Sequence, residues 1–115
     1  MIVLIQRHAM NRNGPYVLRR RLALGRLVID YLLDHPCIDC GCDDVRVLEF
    51  DHRDPATKVA GVCELVNQLR SWALIADEIA QCDVRCRNCH VIRTHEVNDS
   101  WRHRVWTELM VAGRV

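Results

Sequence analysis

Four cysteines, arranged as two C-x-x-C pairs, are the residues whose type and spacing most directly indicate chemistry. The first pair is Cys37 and Cys40, and the second is Cys86 and Cys89. Zinc takes four thiolates in a tetrahedron, with Zn–S distances of about 2.3 Å. The 45 residues between Cys40 and Cys86 leave room for a strand, a loop and helices. The sequence therefore predicts a structural zinc ion that joins two distant segments of the chain.

The second pair also belongs to a competing motif. Residues 86–90 have the C-x-x-C-H pattern of a covalently attached c-type haem. Haem attachment follows export, and the opening apolar run, residues 1–5, is too short for the core of an export signal. A haem would also leave Cys37 and Cys40 without a role. We therefore expect zinc and no haem.

Three cysteines remain without a paired spacing: Cys42, Cys63 and Cys82. Unpaired cysteines commonly behave as small apolar side chains, so burial is the expectation for all three. Cys42 is an alternative zinc ligand to Cys40, although the C-x-x-C geometry favours Cys40. Each C-x-x-C pair has the form of a zinc knuckle, a short turn that presents two thiolates; residues 37–40 are the first knuckle and residues 86–89 the second. These two knuckles and the odd total of seven cysteines indicate metal binding in a reducing, cytoplasmic compartment rather than disulfides.

An acid and two histidines are expected to meet once zinc joins the knuckles. Asp51 and His52 end a β-rich run after the first knuckle, and His90 directly follows the second. A carboxylate and a neutral imidazole bind a divalent cation, while a second imidazole, with a pKa of about 6.5, takes a proton from water near neutral pH. Such a set suits metal-assisted hydrolysis of a phosphodiester.

In this order of residues the sequence resembles the HNH endonuclease family, specifically its small cysteine-clamped members from phages and bacteria. The resemblance covers about residues 30–96, more than half of the chain. It rests on the following segments, which occur in the family order: residues 36–41, 47–52, Lys58, residues 78–82, 84–90 and 93–95.

The resemblance implies a treble-clef-like ββα-metal core and cleavage of DNA that leaves 5′ phosphates. His52 would be the general base, and Asp51 and His90 would hold a divalent cation such as Mg²⁺, Mn²⁺ or Ni²⁺, a Lewis acid at the scissile phosphate. Gln81 stands where many members carry the asparagine that gives the family its N. Its amide oxygen is expected to orient His52, over a longer side chain. His95 is expected either to touch phosphate or to be exposed.

The formal net charge of +1 hides an uneven distribution. Residues 1–29 carry six arginines and no acid, whereas residues 30–64 carry nine acids against three bases. A basic segment beside an acidic centre is typical of a protein that binds the phosphate backbone around a carboxylate and metal site. A solvated helix face is the alternative. The candidate phosphate contacts are Lys58, Arg87, Arg93, Arg19, Arg20 and Arg26.

Hydrophobic periodicity and turn residues predict the elements that position these groups. An apolar stripe recurs at helical spacing until Pro36, formed by Val17, Leu24, Leu27, Val28, Tyr31 and Leu32. The expected elements are a helix at 16–35, a strand at 45–50, helices at 62–69 and 72–81, a very short strand at 83–85, a helix from about 90 and a last helix at 99–111. Ser71 is the expected cap of the 72–81 helix. The inward side chains of the 62–69 and 72–81 helices should be Leu65, Leu69, Trp72, Ile75 and Ile79.

The fold class is therefore a small zinc-stabilised α+β domain with additional terminal helices. Residues 1–35 form a basic arm and helix, 36–96 the zinc-clamped domain and 97–115 a C-terminal helix, all within one compact unit. No apolar stretch approaches the length of about 20 residues that a membrane span needs, so no membrane partner is expected. A phage-encoded protein of this kind would act in the host cytoplasm.

Three functions fit this sequence. The first is a metal-dependent DNA endonuclease that nicks or cuts. The second is a zinc-stabilised nucleic-acid-binding module with weakened or lost catalysis, which Gln81 makes credible. The third is a protein-interaction role, or self-association, through the arginine-rich first helix and the last helix with Trp101 and Trp106.

Overall fold

The structure is a computed structural model that describes residues 14–115. Residues 1–13 of the basic arm and helix predicted at 1–35, with Arg7 and Arg12, lie outside the described residues. The described part is a small α+β fold with five α-helices and one two-stranded sheet. No helix within it has both the length and the apolar content that a bilayer crossing requires.

The first helix, α1, spans Pro15–Leu33. Proline suits the first turn of a helix because its missing N–H would have no helical partner there. Leu24, Val28 and Leu32, spaced four residues apart, are buried, so α1 docks through one narrow stripe. The predicted helix is confirmed, and it ends before Pro36 because the residue ahead of a proline disfavours helical backbone.

The sheet pairs β1, Leu48–His52, with β2, Cys82–Cys86, in antiparallel register. Leu48 lies opposite Cys86, and His52 lies opposite Cys82. The prediction of a very short second strand, residues 83–85, was too cautious, since pairing extends through both flanking cysteines. The first strand also starts later and ends later than the predicted range of 45–50.

Two short helices follow β1, and the second of them packs on β2. A 3₁₀ turn at Pro55–Thr57 leads to α2, Val62–Asn67, and then to α3, Trp72–Ile79. The predicted cap is confirmed, because the Ser71 hydroxyl accepts the Leu74 N–H at 3.2 Å. Of the side chains expected to point inward, Leu65, Ile75 and Ile79 are buried, while Leu69 and Trp72 are partly buried.

One hydrophobic core joins these elements. Buried side chains of α1, β1, β2, α2 and α3 pack together with two of the knuckle cysteines, Cys37 and Cys86. The knuckles are therefore anchored to the core rather than suspended in a loop. The other buried members are Leu24, Val28, Leu32, Leu48, Val62, Leu65, Ile75, Ile79 and Val84.

The last two helices are α4, Arg87–Val97, and α5, Trp101–Val111. α4 packs on both strands of the sheet and α5 packs on α4. α4 begins at Arg87 rather than at the predicted position, about residue 90, because Cys86 caps it: its Sγ accepts the Cys89 N–H at 3.5 Å. α5 buries no residue, and Trp101 is 72% exposed, so this helix contributes little to the core.

Candidate metal centre and adjoining cleft

The four cysteines of the two knuckles form a cluster that could hold a metal ion. Their Sγ atoms all lie within 4.8 Å of one another, and those of Cys40 and Cys86 are 3.7 Å apart. A tetrahedron with metal–sulfur bonds of about 2.3 Å has edges of about 3.8 Å. The predicted clustering is confirmed with Cys40, and not Cys42, as the fourth member, and the all-sulfur donor set fits zinc.

Backbone hydrogen bonds shape the first knuckle and attach it to the sheet. The Gly41 N–H donates to the Cys37 carbonyl at 2.9 Å, which closes the turn. Gly41 has φ of +78°, a left-handed conformation that side chains disfavour and glycine adopts readily. The Ile38 N–H donates to the Val84 carbonyl at 2.9 Å, so β2 holds the first knuckle beside the second.

The electrostatics of the cluster favour a bound cation. Burial raises the pKa of Cys37, but backbone hydrogen bonds from Cys86, Cys40 and Asp39 outweigh it and lower that pKa to about 6. The pKa of Cys89 is raised, first by its hydrogen bond with the Cys86 side chain and then by burial. Thiols packed this closely oppose one another's ionisation, and a divalent cation relieves that opposition.

The three remaining cysteines differ in environment. Cys82 is buried as predicted, and its Sγ donates to the Glu78 carbonyl at 3.3 Å. Burial, followed by the Glu78 charge, raises the pKa of Cys82 to about 11. Cys42 is half-buried against the core. The prediction of burial for Cys63 was wrong: its side chain is exposed and lines a groove between α1 and α2.

Asp51 and His90 come together as expected. Asp51 lies in β1 and His90 in the first turn of α4, and the Asp51 Oδ1 and His90 Nε2 atoms are 3.5 Å apart. The other ring nitrogen, Nδ1, lies 3.5 Å from the Glu49 Oε1 atom. Glu49 and Asp51 share one face of β1 because strand side chains alternate. His90 is thus flanked by two carboxylates.

The second oxygen of Asp51 is bound by the guanidinium groups of Arg85 and Arg93. The sequence predicted Arg93 as a phosphate contact, and it did not single out Arg85. Arg85 Nη1 lies 2.9 Å and Arg93 Nε 3.3 Å from Asp51 Oδ2. Arg85 is only 6% exposed and also binds Asp39 of the first knuckle, at 2.8 Å. Burial lowers the pKa of Arg85, but its bonds to Asp39 and then Asp51 outweigh this and raise it. The alternation of Asp83 and Arg85 along β2 was the sequence pattern that could have indicated Arg85 as a site residue.

The residues fit a second divalent cation with two protein ligands. Two donors bonded to one cation at about 2.1 Å lie about 3.0 to 3.4 Å apart, close to the 3.5 Å between Asp51 Oδ1 and His90 Nε2. Among residues 14–115, the knuckle cysteines are the only group of three or more His, Cys, Asp or Glu residues whose ligand atoms, one from each residue, all lie close enough together to hold one ion. Water and substrate oxygens would supply the remaining positions, as Mg²⁺ commonly requires.

His52 has a different partner from the one expected. Its Nε2 atom lies 2.6 Å from Glu78 Oε1, and its side chain is 8% exposed. The same Glu78 oxygen accepts the Val59 N–H at 3.1 Å. Glu78 was missed as a site residue, although its place on the apolar stripe of α3, between Ile75 and Ile79, is a recognisable signal, since buried carboxylates need partners.

Gln81 is near this site but is not hydrogen-bonded within it. Its side-chain oxygen is buried without a hydrogen-bond partner in the described part of the chain. Only the Gln81 backbone connects to the strand end, where its carbonyl accepts the Arg53 N–H at 3.1 Å. The structure therefore places Glu78, rather than the Gln81 amide, on the His52 ring.

The predicted residues line two adjoining clefts. Asp51 and His52 line one of about 200 Å³ together with Arg53 and Arg93. His90 lines the other, of about 390 Å³, with Glu49, Arg87 and His95, and Thr94 lines both. The acid and both histidines thus border one continuous region of surface.

The predicted phosphate-binding residues are distributed unevenly around the clefts. Arg87 and Arg93 lie at their walls, and the Arg87 side chain is 71% exposed. Lys58 is exposed after the 3₁₀ turn. Arg19 and Arg26 are exposed on α1, and Arg20 is partly buried there. His95 Nδ1 lies 2.7 Å from the Ser100 hydroxyl, which holds its ring at the junction of α4 and α5.

Comparisons of this chain with models of known protein families, with curated proteins and with solved structures found no match. The candidate site is therefore defined by its own residues: four clustered thiols, an aspartate beside a histidine, and a second histidine bound to a buried glutamate.

Proposed function

We propose that this protein is a metal-dependent endonuclease that hydrolyses phosphodiester bonds in DNA, on a core of the HNH type. The observation that carries the proposal is the 3.5 Å separation of Asp51 Oδ1 and His90 Nε2, in a cleft region that His52 also lines. The order of β1, β2 and α4, with a cysteine pair at each side, is similar to a treble clef. Zinc at the four cysteines would fix this arrangement.

Each residue of the candidate site has its own role in hydrolysis. His52 accepts the proton of the attacking water, the role for which an imidazole suits neutral pH. Asp51 and His90 hold the divalent cation, which when bound would stabilise charge on the phosphoryl group and the departing 3′ oxygen. Arg93 lines the same cleft and suits phosphate binding beside the reacting group, whereas the Arg53 guanidinium there is bonded to the Cys82 and Ala80 carbonyls.

One observation favours the alternative of a nucleic-acid-binding module with weak catalysis. Arg85 and Arg93 already neutralise one oxygen of Asp51, which reduces the charge that Asp51 offers to a cation. Arg93 is partly exposed and can turn to substrate, whereas Arg85 is buried. Binding of the catalytic cation should therefore be weak without DNA phosphate as a further ligand.

A plasmid-nicking assay with Mg²⁺, Mn²⁺ or Ni²⁺ tests the proposal. We expect the wild-type protein to nick the plasmid and His52→Ala to lose this activity while it still binds DNA. His103→Ala, which removes a histidine of α5 that lines neither of the two clefts, is the matched control and should cleave normally. Equal cleavage by wild type and His52→Ala would remove His52 from the mechanism. Salt-sensitive DNA binding without cleavage by the wild type would favour the binding module.

A further inference from the structure

We propose that Glu78 is a positioning residue that fixes the His52 ring with Nε2 bound to the carboxylate and Nδ1 available to accept the proton from water. This inference rests on the proposed nuclease function and deepens it, because it assigns separate roles to the two ring nitrogens. Glu78 would act through His52 and would not touch the substrate.

The geometry of the pair carries the inference. The Nε2 and Oε1 atoms are 2.6 Å apart, within the range of strong charge-assisted hydrogen bonds. Glu78 is 2% exposed and is itself held by the Val59 N–H. Among the described residues, no group is hydrogen-bonded to His52 Nδ1. His52 lines the cleft, so its unbonded nitrogen is the one available there.

The protonation pattern of the ring follows from the chemistry of the partner. Burial raises the pKa of Glu78, but hydrogen bonds from His52, Val59 and Ala60 outweigh burial and leave that pKa lowered. Glu78 is therefore an ionised carboxylate near neutral pH, which only accepts hydrogen bonds. The Nε2 atom must then carry a proton and donate it, and in the neutral ring Nδ1 holds the lone pair.

The position of Glu78 argues against a purely structural role. It lies on the buried stripe of α3, beside Ile75 and Ile79, where an apolar side chain would complete the core. A buried carboxylate and imidazole lose hydration, and such pairs are often no more stable than apolar replacements. In catalytic sites, by contrast, a carboxylate that fixes a histidine tautomer raises the rate of proton transfer.

Glu78 also accounts for the departure at Gln81. The side-chain oxygen of Gln81, the group expected to orient His52, is buried without a partner. The carboxylate one turn earlier in the chain occupies the ring nitrogen instead. The orienting function thus passes from residue 81 to residue 78 in this chain.

Glu78→Gln is the test variant, because it keeps the size of the side chain. It replaces a carboxylate, which can only accept hydrogen bonds, with an amide that can also donate them. Asp77→Asn, an exposed change of the same kind on the same helix, is the matched control. We expect Glu78→Gln to lower kcat for plasmid nicking by about 10- to 100-fold, with KM and DNA affinity within about twofold of wild type. Asp77→Asn should match wild type in both constants.

A spectroscopic measurement on the wild type makes the test independent of folding of the variant. Long-range ¹H–¹⁵N spectra at alkaline pH should show His52 as the Nε2–H tautomer, and the Nδ1–H tautomer would overturn the inference. Normal kcat in Glu78→Gln, with the wild type active, would also overturn it while leaving the nuclease function intact. A wild type without any cleavage would reject the nuclease function itself, and with it the positioning role of Glu78.

Discussion

The Sγ atoms of Cys40 and Cys86 lie 3.7 Å apart, although 45 residues separate the two cysteines in the chain. The contact joins the end of the first knuckle to the last residue of β2, directly before α4. Both site residues lie in elements connected to this junction. Asp51 lies in β1, which pairs with β2, and His90 lies in α4. The cysteine cluster and the cleft therefore depend on the same junction.

Removal of metal is therefore expected to destabilise both. The purified protein should contain about one zinc per chain, and a strong chelator should cause loss of helical circular dichroism, because structural zinc contributes directly to folding free energy. Cys86→Ser should abolish stoichiometric zinc binding, whereas Cys63→Ser, a change at an exposed cysteine outside the cluster, should retain it. A chain that stays folded and active without zinc would contradict this.

Thiol labelling should resolve the seven cysteines into classes. In the zinc-bound protein we expect one fast-reacting thiol, Cys63, because it is exposed and is not in the metal cluster. Cys42 should react more slowly, and Cys82 slowest, since burial and the Glu78 charge raise its pKa to about 11 and thiolate is the reactive form. Mass spectrometry of a labelling time course measures this order.

Chelation supplies the decisive comparison for the labelling experiment. Four additional thiols, those of Cys37, Cys40, Cys86 and Cys89, should become reactive when metal is removed. The Cys63→Ser variant should lose the fast class and nothing else. Protection of Cys42 in place of Cys40 by metal would show that the ligand set differs from the geometric cluster.

Local codes in the sequence predicted much of this structure. The C-x-x-C spacing places two thiols on one short turn, so the cluster required only that two such turns meet. Leu24, Val28 and Leu32 gave α1 through their spacing, and Ser71 gave the start of α3. These features depend on residues within a few positions of one another, which makes them readable without the fold.

Features that depend on distant partners were harder to predict. Asp51 pairs directly with Asp83 across the sheet, an arrangement that is unfavourable unless a cation lies between them. Arg85 contacts both carboxylates, and this neutralisation explains how a strand rich in charge extends to five residues. Periodicity also places Glu78 on a buried stripe, but it cannot name His52 as the partner.

Replacement of Arg85 should show how much its pairing with the neighbouring carboxylates contributes to the free energy of unfolding. Arg85→Leu leaves Asp51 and Asp39 without their buried cation, and we expect a loss of about 3 kcal/mol in the free energy of unfolding. Arg46→Leu is the matched control, because Arg46 pairs with Asp44 at the exposed surface and such pairs contribute little. Urea denaturation of the zinc-bound proteins measures both changes. Equal stability of the two variants would mean that Arg85 is dispensable for the sheet.

The pair of His52 and Glu78 should show the opposite balance between stability and activity. Each single replacement by leucine leaves one buried polar group without its partner, so His52→Leu and Glu78→Leu should each lose about 3 kcal/mol in the free energy of unfolding. The double variant removes both groups and fills the space with apolar side chains. It should therefore recover most of the loss, and it can equal or exceed the wild type.

Urea denaturation of the four proteins, completed as a double-mutant cycle, measures this coupling. The double variant should retain stoichiometric zinc, because neither residue belongs to the cysteine cluster, yet it should not nick DNA. Losses in the two single variants that simply add in the double variant would contradict a direct energetic link between the groups. Recovered stability without recovered cleavage in the double variant would mean that the fold does not need the His52–Glu78 pair, since leucine stabilises it equally well. The wild-type protein would then keep this buried pair for the chemistry of His52.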